Sequence, residues 1–272
     1  MSLKPVLAAT LSALTLLAPA GQGAVAQPQP APMRLALGYD GRLFAIKVLD
    51  LQFDQHIGTS VYGAGAQLRS YGILAAFKHF DIKASANGRI DEDGPRPGAF
   101  TYDNHDGERE RLVKVNWRGD DVDMTSKPAF GNLGEPPASR EQKLAAADPL
   151  TALMRLTLAA PVRPCEGSPR FFDGKQLYEL AFAGAHAEAP NDIERNLGIT
   201  NLVRCTVRYN EIAGFKKKSP AKKNQGMKSP ISVAFGQVGA DGPWVMADVH
   251  ADTPLGPASI VLRRAQIQRG QS

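Results

Sequence analysis

The chain is poor in the residues that usually announce chemistry: two cysteines, five histidines, two tryptophans and 7% aromatic residues among 272 positions. With Cys165 and Cys205 as the only thiols, there is no C-x-x-C pair, and no histidine stands at a zinc-finger interval from them. A redox dithiol and a Cys/His zinc site both need spacing that is missing here. There is no G-x-S-x-G elbow, since Gly58-Thr59-Ser60-Val61-Tyr62-Gly63 has the wrong final spacing. Gly63-Ala64-Gly65 lacks the third glycine of a dinucleotide loop. Walker, H-E-x-x-H and EF-hand patterns are absent as well. Asp103-Asn104-His105-Asp106-Gly107 carries metal-capable side chains without the alternating oxygens and closing glutamate of a calcium loop. The histidines, His56, His79, His105, His186 and His250, are scattered singly. No residue is thereby marked as catalytic, no metal site and no cofactor is implied, and a protein that binds is expected before one that catalyses. A triad assembled from distant positions stays open.

Long apolar runs are just as scarce. The one at the N-terminus follows Lys4, extends from Val6 to Leu17, and leads to Ala24-Val25-Ala26 before Gln27. A positive start, a short apolar stretch and a small-residue site in that order read as a secretory signal peptide. Pro19 and Gly21 break the run short of the roughly twenty apolar residues needed to span a bilayer. No cysteine stands at the cleavage site for acylation, and no Arg-Arg pair precedes the run, so Sec export is expected. The expected organisation is a signal peptide over 1–26, a disordered Pro-rich leader over 27–32, a single β-rich domain over 33–268 and a tail over 269–272. The expected location is the periplasm, with a soluble mature chain that has no transmembrane segment.

In an oxidising compartment, Cys165 and Cys205 are expected to pair. Closing a loop of about forty residues stabilises a fold by about 4 kcal/mol in the chain-entropy model. The formal charge of +5 is unevenly placed. Lys216, Lys217, Lys218, Lys222, Lys223 and Lys228 lie in one stretch that contains no acid. Without these and Lys4, the remainder is about 2 negative by formal counting. Such a cluster suits anionic lipid, lipopolysaccharide or an acidic partner through summed Coulomb attraction. It equally suits a solvated hairpin loop, also marked by Ser219-Pro220 and Asn224-Gln225-Gly226. Nucleic acid is not an expected partner, because the lysines are not interleaved with stacking aromatics.

Along the chain the dominant period is two. Leu35 and Leu37 alternate with Arg34 and Ala36, and Tyr39-Asp40-Gly41 reads as a turn. Leu49, Leu51 and Phe53 share one face while Phe44, Ile46 and Val48 hold the opposite phase, which predicts a bulge near Val48 or two pairings in one strand. Further strands are expected over 60–70 and 80–87 and around Val113, Val115 and Trp117, with a helical turn or rim segment over 72–77 and a turn at Asp91-Glu92-Asp93-Gly94. From Thr125 to Ala147, Pro128, Gly131, Gly134, Pro136 and Pro137 predict a long loop, either a flap over a cavity or a plain crossover. Asp148-Pro149 then supplies an N-cap and a first-turn proline for a helix bearing Leu150, Leu153, Met154 and Leu158, with its apolar face against the sheet. Phe171-Phe172-Asp173-Gly174-Lys175 predicts a hairpin returning through Tyr178, Leu180 and Phe182. Val203, Cys205, Val207 and Tyr209 point one way, which puts Cys205 on a buried face, and three more strands are expected around 231–235, 245–249 and 260–267.

In combination, the Pro-Pro loop, Asp148-Pro149-Leu150-Thr151-Ala152-Leu153, the cysteine, Phe172-Asp173-Gly174-Lys175, Tyr178-Glu179-Leu180, Cys205-Thr206-Val207-Arg208-Tyr209, Ile212-Ala213-Gly214 and Thr253-Pro254-Leu255-Gly256 resemble the exported bacterial proteins grouped as domain of unknown function 3108, over about Met33 to Ile267. The resemblance implies a mainly β protein: an antiparallel, strongly curved sheet or incomplete β-barrel with one short α-helix packed on it. It implies no activity, and the lysine-rich stretch departs from the pattern. Three functions are open. The first is a non-enzymatic envelope protein holding an apolar, lipid-like ligand. The second is an adaptor binding an anionic envelope component through the lysine loop. The third is a hydrolase of envelope polymers.

Overall fold

The structure, a computed structural model, describes residues 32–79, 81–106, 110–158, 164–216 and 228–270. The expected signal peptide and nearly all of the leader lie outside the described residues, as do Lys217, Lys218, Lys222 and Lys223.

Two runs of strands form one sheet. The first is β1 (Met33–Leu43), β2 (Ile46–Ile57), β3 (Val61–Ser70), β4 (Asp81–Asp91), β5 (Gly94–Asn104), β6 (Arg111–Arg118) and β7 (Asp121–Lys127), with α1 (Gly72–Phe77) between β3 and β4. Next come α2 (Arg140–Leu144) and α3 (Pro149–Leu158). The second run is β8 (Arg170–Phe172), β9 (Leu177–Glu188), β10 (Ile199–Ala213), β11 (Lys228–Val238), β12 (Trp244–Thr253) and β13 (Gly256–Arg269), with α4 (Asp192–Asn196) between β9 and β10. Each run is an antiparallel meander, and β1 pairs β13 from Met33↔Arg269 to Leu43↔Ala258. The thirteen strands follow the order β7-β6-β5-β4-β3-β2-β1-β13-β12-β11-β10-β9-β8.

The alternation read from the sequence sets the register. Leu35, Leu37 and Tyr39 are buried while Arg34 is exposed. They face Gln55, Phe53 and Leu51 across β2. Gly41 pairs Leu49 and Arg42 pairs Lys47, so Val48 is the extra residue of a bulge, as its change of phase predicts. The expected turn at Tyr39-Asp40-Gly41 is not there: β1 runs straight through and reverses at Phe44-Ala45, both at positive φ (51° and 72°). A two-residue hairpin of that geometry normally announces itself with Asn-Gly, and Phe-Ala hides it. β5 also escapes the sequence pattern because it holds Pro95 and Pro97. They are tolerated because β6 reaches only from Ala99 onward, so the proline half of β5 pairs on one side.

Among the described residues β7 and β8 do not pair, and the barrel is left incomplete. The stretch expected as a loop from Thr125 to Ala147 is partly ordered structure: β7 continues to Lys127, α2 carries a capping box on Ser139 and Gln142, and Ala147 makes a parallel bridge to Phe171. The stretch lies along the opening. Trp117 Nε1 donates to Lys143 O (3.3 Å), Gly214 N to Pro136 O (2.8 Å) and Glu135 N to Phe215 O (2.9 Å). Gly174, at φ 98°, leans on the other side of the opening so closely that a Cβ there would lie 2.4 Å from Val113 Cγ1.

Four short helices, rather than one, accompany the sheet among the described residues. Only α3 enters the core. It packs on β3, β4, β5, β8 and β12, with Leu150, Thr151, Ala152, Met154 and Thr157 buried. Burying Leu150 and Met154 contributes about 1.5–3 kcal/mol each. β13 ends at Arg269, so the expected tail begins one residue later, and Gly270 N donates to Pro32 O (2.8 Å).

Candidate functional site

The interior is held by a line of polar groups around the start of α3. Asp148, with no exposed surface, accepts from Leu150 N (3.0 Å) and Thr151 N (2.9 Å) through Oδ1, and from the Thr151 hydroxyl through Oδ2. With its own proton on Asp148, the Thr151 hydroxyl accepts from the Tyr62 hydroxyl at 2.5 Å, and Arg96 O stands 3.3 Å from Tyr62 as its alternative acceptor. Farther along the helix, Arg155 Nε donates to Pro95 O (2.8 Å) and Gln55 Nε2 to Thr157 Oγ1 (3.4 Å). Burial pushes the Asp148 carboxyl above the usual carboxylate range, with its hydrogen bonds opposing. It also raises the Tyr62 hydroxyl and lowers the Arg155 guanidinium. Asp148, Thr151, Tyr62, Gln55 and Thr157 are buried and Arg155 is half-buried, and together they act as a clamp that fixes α3 inside the curved sheet.

Between α3 and the sheet remains an apolar cavity of about 80 Å³, lined chiefly by Leu37, Phe53, Leu150, Leu156, Phe235 and Trp244. Ligand pockets for drug-sized molecules run to roughly 300–1,000 Å³. Trp244 Nε1 is buried without a hydrogen-bond partner. A second hollow, about 480 Å³ and polar, involves Arg34, Asp54, His56, Gln266 and Gln268 beside Gly63 and Gly65. The charged and amide side chains alternate with the buried residues of β1 and β2, which puts them on the outer face of the sheet.

The expected disulfide is present. Cys165 and Cys205 are bonded with Cα atoms 5.9 Å apart, both sulfurs in a buried cluster with Val207, Val233 and Phe235. The bridge ties the chain beyond α3 to the buried face of β10, as the alternation of that strand predicts. Of the lysine cluster, Lys216 is exposed just past β10 and Lys228 opens β11 opposite Asp252; the other four lie outside the described residues. Gly214, at φ 85°, precedes that segment, and a Cβ there would lie 1.9 Å from Lys175 O. The segment therefore leaves a tightly fixed strand end.

The histidines do not converge. His105 meets Asp103 (3.1 Å), His186 meets Glu188 (3.0 Å) and His250 meets Asp248 (3.2 Å), all three exposed. Among the described residues, no group of three or more His, Cys, Asp or Glu could hold a metal ion. Asp91 to Gly94 forms the expected turn, with Asp91 and Asp93 paired to Arg96. One Ser-His-Asp juxtaposition does arise, since Ser232 pairs with His250 in register beside Asp248. However, Ser232 Oγ accepts from Arg204 Nη1 (3.3 Å), and the Asp248 carboxylate takes both Arg204 Nη1 and Nη2 (2.8 and 3.1 Å). Hydrogen bonding to Asp248, then to Glu188, raises the already high Arg204 pKa. This is an ion-pair patch on a strand face, with no base poised on the serine.

Sequence reasoning missed the Thr151–Tyr62 contact. Its one local signal was Thr151 standing three residues after the capping Asp148, the interval at which side chains meet at a helix start.

No family model and no curated protein matches the chain. A solved structure described as a beta-barrel-like protein of domain of unknown function DUF1849 from Brucella abortus is similar at TM-score 0.46 and 12% identity, covering 88% of this chain and 98% of that one. The incomplete antiparallel barrel is established by the strand pairings of this chain alone.

Proposed function

We propose that this is an exported, non-enzymatic envelope protein that docks on an anionic component through the loop end carrying its lysine-rich segment. The leader-like N-terminus and the Cys165–Cys205 bridge support export, since such bonds persist in oxidising compartments. The observation that carries the docking reading is the exit of that segment. It leaves β10 at Gly214 and re-enters at Lys228, and the intervening sequence adds four lysines and no acid. Meanwhile α3 fills the interior, which gives the barrel rigidity instead of a hold.

The test is retention on phosphocellulose as salt is raised. Replacing Lys216, Lys217, Lys218, Lys222, Lys223 and Lys228 by serine should lower the eluting salt. Replacing Arg34, Arg69, Arg89, Lys114, Arg118 and Arg264, which are spread over the strands, should lower it much less at equal net charge. Equal behaviour of the two variants refutes the reading.

A second reading, a carrier of an apolar ligand with one acceptor atom, is favoured by Trp244 Nε1 beside the cavity. At the present cavity size it requires α3 to withdraw. Native mass spectrometry with lipid extraction of protein from periplasm tests it, and ligand-free protein alone argues against it.

A further inference from the structure

Large apolar side chains are unevenly exposed. Nine stand exposed among the described residues, and six of them, Phe44, Ile46, Tyr71, Ile73, Phe77 and Leu255, belong to one stretch of the loop end. Their continuity follows from the pairings. Leu43 pairs both Ile46 and Ala258, so the β1–β2 tip stands beside the β12–β13 tip, where Thr253 pairs Gly256. Phe44 N donates to Pro257 O (3.0 Å), and the Phe44 ring lies against Gly256, next to Leu255. On the other side Tyr71 N donates to Val48 O (2.8 Å), Lys47 Nζ sits 4.3 Å from the Tyr71 ring centre, and α1 follows directly. That helix buries none of its residues: Ile73 is 64% and Phe77 85% exposed. Leu255 is 74% exposed. Soluble proteins rarely leave such contiguous apolar surface without a use.

The charges at this end choose the occupant. Lys47, Arg42 and Arg263 surround Asp40, with Asp50 the only other acid in the group, so cations outnumber anions there. At the same end Lys78 is exposed and pairs with Asp106 (3.5 Å), Lys216 is exposed just past β10, and Lys228 pairs in register with Asp252, one residue from the β12–β13 tip. Apolar tips on separate hairpins and a short helix, ringed by basic groups, form a face rather than a groove. That combination suits an anionic lipid interface, where apolar side chains enter the headgroup region and lysines meet the surface charge. A peptide partner would need a groove or a free strand edge. Among the described residues no helix is long and apolar enough to span the membrane.

We propose that the tips Phe44, Ile73, Phe77 and Leu255 insert into the surface of a bilayer containing anionic lipid, with the basic residues of the same end held over its headgroups. The proposal rests on the anionic-docking reading above and names its partner.

The test is flotation of the purified protein with vesicles of phosphatidylcholine alone or mixed equally with phosphatidylglycerol. The unaltered protein should float with the mixed vesicles only, and less as salt rises. The combined variant Ile73→Ser, Phe77→Ser, Leu255→Ser should lose at least about a hundredfold in partitioning, since three apolar side chains no longer leave water for lipid. Its melting temperature and its phosphocellulose retention should stay unchanged. A separate Phe77→Trp variant should show a blue shift of emission on adding mixed vesicles. Undiminished flotation of the serine variant, or no shift from the tryptophan, overturns insertion while leaving the anionic reading standing. Failure of the unaltered protein to float overturns the bilayer as partner, and if the lysine variant also matches its control on phosphocellulose, both readings fail together.

Discussion

Asp148 offers the sharpest test of how the barrel is filled, because its two variants should separate a cap from a charge. Its carboxylate serves three donors, the amides of Leu150 and Thr151 and the Thr151 hydroxyl, at a position with no exposed surface. Asp148→Ala leaves two buried amides without acceptors. A lost N-cap costs about 1–2 kcal/mol, and burial of the orphaned groups brings the total to about 2–4 kcal/mol. In Asp148→Asn the side-chain oxygen keeps the amides and the new NH₂ donates to the Thr151 hydroxyl. That hydroxyl can turn to donate to Tyr62, whose own proton then turns to Arg96 O, 3.3 Å away. Asparagine should therefore lie within about 1 kcal/mol of the unaltered protein at neutral pH.

The pH dependence carries a definite sign. Burial raises the Asp148 pKa in the folded state, so the folded protein binds this proton more tightly than the unfolded chain does. The associated stabilisation is fully present below the unfolded carboxylate pKa and is lost as pH rises through the raised folded value. Relative to Asp148→Asn, the unaltered protein should gain stability as pH falls across that window. Urea unfolding of the three proteins at a series of pH values measures both effects. Asparagine as damaging as alanine, or a flat difference between asparagine and aspartate across pH, refutes the clamp.

Replacing Cys165 and Cys205 together by alanine should cost about 4 kcal/mol in urea unfolding, from the closed loop of about forty residues, and a loss below about 1 kcal/mol would mean that the bridge does not constrain the unfolded chain. Changing Phe44 to Asn and Ala45 to Gly together should raise the melting temperature through a gain of about 1 kcal/mol, since two residues at positive φ give way to a favoured hairpin pair at the expense of the Phe44 ring contact. The same change should weaken vesicle flotation, and a lower melting temperature would refute the strain argument.

Much of the architecture follows from local rules. The period-two alternation of Leu35, Leu37, Val113, Val115, Val203, Cys205 and Val207 is enough to specify half-buried strands, because a pleated chain has only two faces. Asp148-Pro149 specifies the start of a helix by supplying an acceptor and tolerating the missing amide, and the phase change at Val48 specifies a bulge. Where these rules failed, a local signal was overridden. Pro95 and Pro97 argue against a strand, yet β6 ends short of them. Phe44-Ala45 lacks any turn residue, yet its neighbours on β1 and β2 are held in register and force the reversal.

The sequence by itself determined most of the strands, the bulge, the cap of α3 and the local concentration of lysines, since each depends on near neighbours or on composition. Only the tertiary structure decided that α3 occupies the barrel and leaves about 80 Å³ beside it, and that Asp148, Thr151 and Tyr62 meet. It alone decided that apolar tips from three separated segments share one end with the lysine-bearing strand ends. The physical reason is distance along the chain. Periodicity reports which face a side chain takes, and sheet register alone brings residues such as Phe44 and Leu255 side by side.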